Sequence, residues 1–259
     1  MIHFVNIKKE EFLRSKLLYK HMPLENALRT LENKYLWFAD PCEWKDPFEK
    51  RFLEAKYTQK GKNVNLRWRD KLFCTCMTQT ISSEAFWNTY SKGNIGVELR
   101  ISRSQLLEEL SRYEDKYKIF IGRAEYLNTK DITCKDLRKI PFNPAVPADL
   151  KTNSDEFAAR LFLLKRVSFS YENEIRIIIV SDEPSSAKGI ELKYLCDNTE
   201  LIHSVVLDPN IEDYTFNMLK GHFENAFGFI KTEQNGKKRQ RVLRSRLYAK
   251  QRTAILNLD

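Results

Sequence analysis

Apolar and polar positions along this chain switch repeatedly between a period near 3.6 and a period of two, and the switches mark its elements. Residues 17–21 form a short apolar segment suited to a strand, and residues 23–32 carry apolar side chains at helical spacing behind a proline. Residues 35–39 (Tyr-Leu-Trp-Phe-Ala) read as a second strand closed by Asp40-Pro41, and Asp46 is placed to cap a helix with Pro47 at its first position. The polar stretch 58–65 predicts a loop, 71–78 a strand, and 83–90 a helix with Ser83 as its cap. Residues 94–101 alternate like a half-buried strand, 104–113 read as an amphipathic helix, and 119–127 as a further strand.

Three prolines in residues 139–152 predict a surface connection. A helix over 154–164 then delivers the chain to 167–180, the strongest strand signal, which ends in Ile177-Ile178-Ile179-Val180. Residues 201–207 are β-rich, 212–227 helical, and 229–247 predict a hairpin turning near Asn235-Gly236. Strands and helices intermingle without strict βαβ repetition, so the predicted class is α+β, a single domain over residues 1–259 with a basic C-terminal hairpin.

Composition adds bounds. Hydrophobic residues make up 42% of 259, ample for a core, and no run approaches the roughly 18 to 20 apolar residues of a membrane helix. The first residues lack the order of a secretory leader, so a cytoplasmic protein away from membranes is expected. Five scattered cysteines fit neither a disulfide framework nor a zinc site; Cys74 and Cys76, two apart in one strand, share a face and read as buried thiols.

Charge changes the picture more. The net charge is +9, and residues 231–252 hold nine basic side chains, Lys237, Lys238, Arg239, Arg241, Arg244 and Arg246 among them, against the single acid Glu233. A segment of this kind attracts phosphates, and nucleic acid or a phosphorylated cofactor would satisfy it. A charged strand edge kept from pairing with other chains explains it equally well.

For chemistry, residues 171–176 (Tyr-Glu-Asn-Glu-Ile-Arg) stand out. A strand's period of two places Glu172, Glu174 and Arg176 on one face and Asn173, Ile175 and Ile177 on the other, so two carboxylates and a guanidinium line up at the mouth of an apolar strand. The plain alternative is an exposed ion-paired ladder. With eight glycines there is no phosphate-binding loop of the Walker or GxGxxG kind, and the four histidines form no zinc pair. Asp40, Asp46 and Glu49 read as solvated acids around a helix start, so no metal is expected.

Three blocks carry a resemblance across nearly the whole chain. They are Leu18-Tyr19-Lys20-His21 with Leu36-Trp37-Phe38-Ala39-Asp40-Pro41 through Lys45-Asp46-Pro47-Phe48-Glu49, then Phe86-Trp87-Asn88-Thr89-Tyr90 with Gly96-Val97-Glu98, then Tyr171 to Arg176. In order and spacing they resemble the uncharacterised bacterial family DUF2971, with Lys45 where that family usually has Asn. The same blocks are similar to the catalytic strands of ADP-ribosyltransferases, with Trp37 in the place of a second-strand Tyr and Glu174 in the place of the late-strand Glu.

The second resemblance implies a split mixed or antiparallel β core flanked by helices, with NAD as substrate. It implies Glu174 as the carboxylate that supports charge on the ribose and Glu172 as the group that positions or deprotonates an acceptor. Lys20 or His21 would face the cofactor from the first strand, joined by Trp37, Phe48, Tyr90 and Arg176. With the basic tail, the reading becomes transfer of ADP-ribose from NAD to nucleic acid, RNA foremost, as a toxin in phage defence that has an antitoxin partner. Two alternatives stand beside it: a metal-dependent nuclease using Glu172, Glu174 and a lysine, and a non-catalytic module that binds nucleic acid or a partner.

Overall fold

The β-branched run ending at Val180 lies at the centre of a ten-stranded mixed sheet, where branched side chains pack on both faces. The computed structural model describes residues 1–59, 61–81, 83–91, 95–142, 154–230, 232–234 and 237–249, with the side chains of 59, 138, 232–234 and 237–239 outside the description. The strands of the large sheet are β1 (Ile2–Phe4), β2 (Leu17–Pro23), β3 (Tyr35–Ala39), β4 (Leu72–Thr78), β5 (Gly96–Ser102), β6 (Tyr117–Arg123), β7 (Glu174–Ser181), β8 (Gly189–Lys193), β9 (Ile202–Leu207) and β10 (Val242–Arg244). Their order is β1-β6-β7-β4-β2-β5-β9-β10, with β8 reached through β3. Within this sheet, among the described residues, only β1 with β6 and β9 with β10 pair in parallel.

The sheet forks at β4. One edge of β4 pairs along its length with β7, from Glu174↔Thr78 to Val180↔Leu72. The other edge is shared: β2 meets it at Tyr19↔Thr78 and β3 at Ala39↔Cys74. Because β2 and β3 then turn to their own partners β5 and β8, a gap opens between them over Thr75 and Cys76.

Two apolar cores lie on opposite faces of β7. Ile175, Ile177 and Ile179 point into one, with Leu18, Leu99, Ile101 and Phe223. Ile178 and Val180 point into the other, with Phe52, Trp68, Phe157 and Phe162. The helices that cover them are α1 (Lys9–Arg14), α2 (Leu24–Glu32), α3 (Pro47–Glu54), α4 (Glu84–Tyr90), α5 (Arg103–Ser111), α6 (Asp155–Leu161) and α7 (Asp213–Phe227). Among the described residues no helix is long and apolar enough to cross a membrane.

This is the expected α+β class in one domain, and several local expectations hold. Asp46 caps α3 by accepting a hydrogen bond from the Phe48 N–H at 3.0 Å, with Pro47 in the first turn. Others change. Residues 58–65 are not a plain loop but contain the strands Tyr57–Gln59 and Lys62–Val64, paired antiparallel. β5 is buried on both faces instead of one, because His21 and α4 close over Glu98 on the face that alternation had left to solvent. Residues 119–127 hold two strands, since the chain breaks after Arg123 and Glu125–Leu127 pairs with Leu164–Arg166.

The predicted strand 167–180 begins late. Val167–Glu172 is a 3₁₀ helix closed by Asn173 in the left-handed region at φ 41°, and β7 starts only at Glu174. Asparagine tolerates that conformation, which a strand cannot contain. At the C-terminus, Thr232–Gln234 and Lys237–Arg239 form a short antiparallel hairpin whose predicted turn residues lie outside the described residues. The chain then joins the large sheet as β10, so the hairpin is shorter than predicted. Much of the predicted surface connection, residues 143–153, also lies outside the described residues.

A candidate active-site cleft at the fork of the sheet

The fork over β4 opens into a cleft of about 860 Å³. A buried ion cluster forms its floor. Lys165, on the short strand Leu164–Arg166, places Nζ 2.5 Å from Glu172, 3.0 Å from Glu174 and 3.5 Å from Glu49. Arg176 donates from Nη2 to Glu174 at 3.0 Å and also to Glu49, and from Nη1 to the Phe162 carbonyl at 2.7 Å. The Trp44 ring lies 4.7 Å from the guanidinium carbon. Three carboxylates thus share two cations, and a charge cluster this deep is held only because nearly every member is hydrogen-bonded.

Burial by itself would raise the Glu174 carboxyl, but Arg176 and Lys165 outweigh it and hold the value down at about 2. Glu174 is therefore a permanent anion, 5% exposed, and its backbone N–H donates to the Tyr126 hydroxyl at 3.0 Å. Glu172 behaves in the opposite way. Burial raises its carboxyl above the ordinary glutamate range, Lys165 opposes this, and the Glu174 charge adds to it. Two residues apart, one carboxylate is fixed in charge and the other is poised to take a proton.

Glu172 reaches Lys165 for a reason that differs from the expected strand face. The left-handed Asn173 ends the 3₁₀ turn, and the end of β4 pins that turn: the Thr78 hydroxyl donates to the Glu172 carbonyl and the Gln79 N–H to the Asn173 carbonyl. The shared face of Glu174 and Arg176 does follow the strand period, Arg176 lying opposite Cys76 and Glu174 opposite Thr78 on β4. Neither is an exposed ladder rung.

Compared with protein-family models, curated proteins and solved structures, the chain matches none. The site must therefore be read from its own geometry.

On β2 the two open choices separate. Lys20 turns into the fork, where Nζ donates to the Thr75 hydroxyl at 2.8 Å and to the Cys76 carbonyl at 3.0 Å, acceptors exposed because β2 has left β4. Burial lowers its ammonium value, and no carboxylate pairs with it among the described residues. His21 borders the cleft but is closed in under α4, its ring stacked 4.7 Å from Phe86 and edge-on to Trp87, with Nε2 3.3 Å from Glu98.

Trp37 stands on the wall, 41% exposed, over Gly189, where an added Cβ would meet its ring at 2.3 Å. Tyr90 closes the opposite wall from the end of α4, and burial raises its hydroxyl value. Phe48 does not line the cleft: its ring lies 4.4 Å from the Arg166 guanidinium, and Arg166 in turn pairs with Asp46 at 3.1 Å. Arg176 reaches the floor, where its two terminal nitrogens bond Glu49, Glu174 and Phe162 and its Nε is buried, so it positions the carboxylates instead of reaching out to a cofactor.

Two members were missed in the sequence. Glu49 is no solvated acid but a buried partner of Arg176, and Lys165 carries no local signal that sets it apart, being the first of two adjacent cations, Lys165 and Arg166, after an apolar run. Cys74 and Cys76 share a face with sulfurs 4.0 Å apart, and the Cys76 thiol is held well above its usual value, first by its hydrogen bond to Cys74 and then by burial. A thiol kept protonated is a poor nucleophile. Among the described residues no group of three His, Cys, Asp or Glu is placed to hold a metal ion.

In the basic tail, Arg241 donates to the His203 carbonyl at 2.8 Å and to the Ile202 carbonyl at 3.0 Å, and Arg244 pairs with Asp213 at 2.6 Å. Arg246 is exposed. The side chains of Lys237, Lys238 and Arg239 lie outside the described residues.

Proposed function

We propose that the chain is an ADP-ribosyltransferase-like enzyme that cleaves NAD in the forked cleft and transfers ADP-ribose to nucleic acid, with RNA as the first acceptor to test. The observation that carries the reading is the pair Glu172 and Glu174, which meet on Lys165 at the floor of a cleft whose volume suits a dinucleotide. The walls supply Lys20 for phosphate and Trp37 and Tyr90 for a flat ring.

The chemistry follows from the two carboxyl environments. As the bond between the ribose C1′ and the nicotinamide nitrogen breaks, the electron pair leaves with nicotinamide and positive charge builds on the ribose. The fixed Glu174 anion stabilises that charge through the local field. Glu172 then takes the proton of the acceptor group as its new bond to C1′ forms. The nucleic-acid half rests on the basic tail, and the toxin role with an antitoxin partner rests on the resemblance alone.

The nuclease reading fits less well, because Lys165 and Arg176 already occupy the space among the carboxylates that a divalent ion would need. Radiolabelled NAD incubated with separate RNA, DNA and protein pools tests the proposal. Label should enter the RNA pool with wild type and be lost with Glu174→Gln and with Glu172→Gln. Label retained in both variants removes the carboxylates from the mechanism. Cleavage of nucleic acid with magnesium and no NAD would establish the nuclease instead, and salt-sensitive binding with neither would leave a binding module.

A further inference from the structure

Three carboxylates close on Lys165, and they differ in what else holds them. Glu174 also takes Arg176 Nη2 at 3.0 Å, and Glu49 is bonded by the same guanidinium, so each keeps a cation if Lys165 is taken away. Glu172 does not. Its side chain, 18% exposed against 5% and 8% for the other two, has Lys165 Nζ at 2.5 Å as its one hydrogen-bond partner among the described residues. Glu172 ends a 3₁₀ turn that buries none of its side chains, so the packing of the turn does not fix its carboxylate either.

Lys165 itself is anchored on both sides along the chain. Leu164 before it lies in the second core, and Arg166 after it pairs with Asp46 at 3.1 Å. Its strand pairs in parallel with Glu125–Leu127, and the Phe169 ring, which lines the cleft, lies 5.1 Å from Nζ. Burial works against its charge, but Glu174, Glu49 and Glu172 outweigh burial and hold the ammonium above the usual lysine value. Such an ammonium keeps its protons, so it can orient a neighbour without acting as its acid or base.

We propose that Lys165 is the positioning residue of the acceptor step: its ammonium holds the Glu172 carboxylate at the floor of the cleft to receive the acceptor's proton, whereas Glu174 stays in place on Arg176 without it. The proposal rests on the base role given to Glu172 above. The proton passed is the acceptor's own, released as the acceptor atom bonds to C1′, and Lys165 gives and takes none.

Lys165 therefore governs the two carboxylates unequally. The charged groups facing Glu172 are Lys165 from the short strand, Glu174 from β7 and Glu49 from α3, while Arg176 is turned to Glu49 and Glu174. The hydroxyls of Tyr90, Tyr126 and Tyr171 also lie near, each held above the ordinary tyrosine value by burial first, so they stay neutral through the acid range. Burial and the two glutamates push the Glu172 carboxyl up, and Lys165 holds it down. Removing Lys165 frees the side chain and raises its carboxyl value further, and the pH at which the base is ionised rises with it.

Two measurements on the full chain test it. With NAD and RNA, Lys165→Met should lower kcat for transfer about tenfold or more at neutral pH. It should also move the acid limb of kcat/KM upward by about one pH unit or more. The KM for NAD should stay near wild type, because Lys20, Trp37 and Tyr90 are untouched, and Lys165→Arg, which restores the charge, should bring the limb back. Without NAD, carbon-13 NMR of protein labelled at its glutamate carboxyls should show the signal that Glu172→Gln removes titrating at a higher pH in Lys165→Met than in wild type. Should Lys165→Met fail to fold, Lys165→Gln, which keeps a donor and removes the charge, is read in the same two ways. A limb and a carboxyl titration at the wild-type pH in a folded variant, or a limb that Lys165→Arg leaves where Lys165→Met put it, overturns the proposal. If wild type transfers nothing, the chemistry proposed above fails by itself, and the NMR titration still decides between a Glu172 held by Lys165 and one that is not.

Discussion

At the scale of single residues, the cluster on Lys165 ties stability to chemistry. Arg176 is 1% exposed and holds both Glu49 and Glu174, so Arg176→Ala would leave three buried carboxylates to share Lys165 alone. Breaking a buried pair of this kind costs about 3–5 kcal/mol, and urea denaturation of the variant should read that loss. Glu174 also sets an acid limit. Its carboxyl is lowered from 4.5 to about 2 in the fold, so its stabilisation is complete above the ordinary glutamate value and fades as pH falls from about 4.5 toward 2. Glu172 titrates the other way. A mechanism that needs it ionised should show kcat/KM falling on the acid side at a pH above 4.5, and Glu172→Asp should move that limb while Tyr171→Phe leaves it in place. A limb at or below the ordinary glutamate range would take Glu172 out of the base role.

At the scale of elements, the fork of the sheet makes the cleft. β4 lends one edge to two strands, and the backbone exposed between them has to be satisfied by a side chain. Lys20 does this, which makes it a structural brace and a charge in the cleft at once. Lys20→Met should therefore leave the Cys76 carbonyl unpaired and lower stability by about 1–3 kcal/mol, and it should weaken NAD binding beyond what the melting temperature explains. A variant that loses stability but binds NAD as wild type does would confine Lys20 to the brace. The tight turn at Asn173 works at the same scale: it ends one element, starts β7, and places two carboxylates from different elements on one lysine.

At the scale of the molecule, the +9 charge and its concentration near the C-terminus have to be divided between folding and binding. Arg241 caps carbonyls at the start of β9 and Arg244 is paired on α7, so these two hold the tail against the sheet. Arg241→Ala should lower the melting temperature, whereas the exposed Arg246→Glu should leave it unchanged and weaken RNA binding with a shallower dependence on salt. The opposite pattern, stability lost with Arg246 and binding with Arg241 alone, would reverse the division.

Much of this was legible in the residue order because the signals are local. The alternation through Ile175, Ile177 and Ile179 marks a core strand, the Asp46-Pro47 pair marks a helix start, and the Glu172 to Arg176 segment marks where charge meets that strand. The extent of each strand was less legible: 3₁₀ and β residues share the same apolar content over 167–172, and burial on a second face is set by whichever helix arrives there. Some features had no local signal. Glu49 lies 127 residues from the guanidinium it holds, and Lys165 and the fork over β4 exist only once distant strands have paired. The sequence by itself determined which stretches bury and which residue types stand at their ends. Tertiary structure alone decided which charges share one dry site, because desolvation and pairing act through space between groups that the chain keeps far apart.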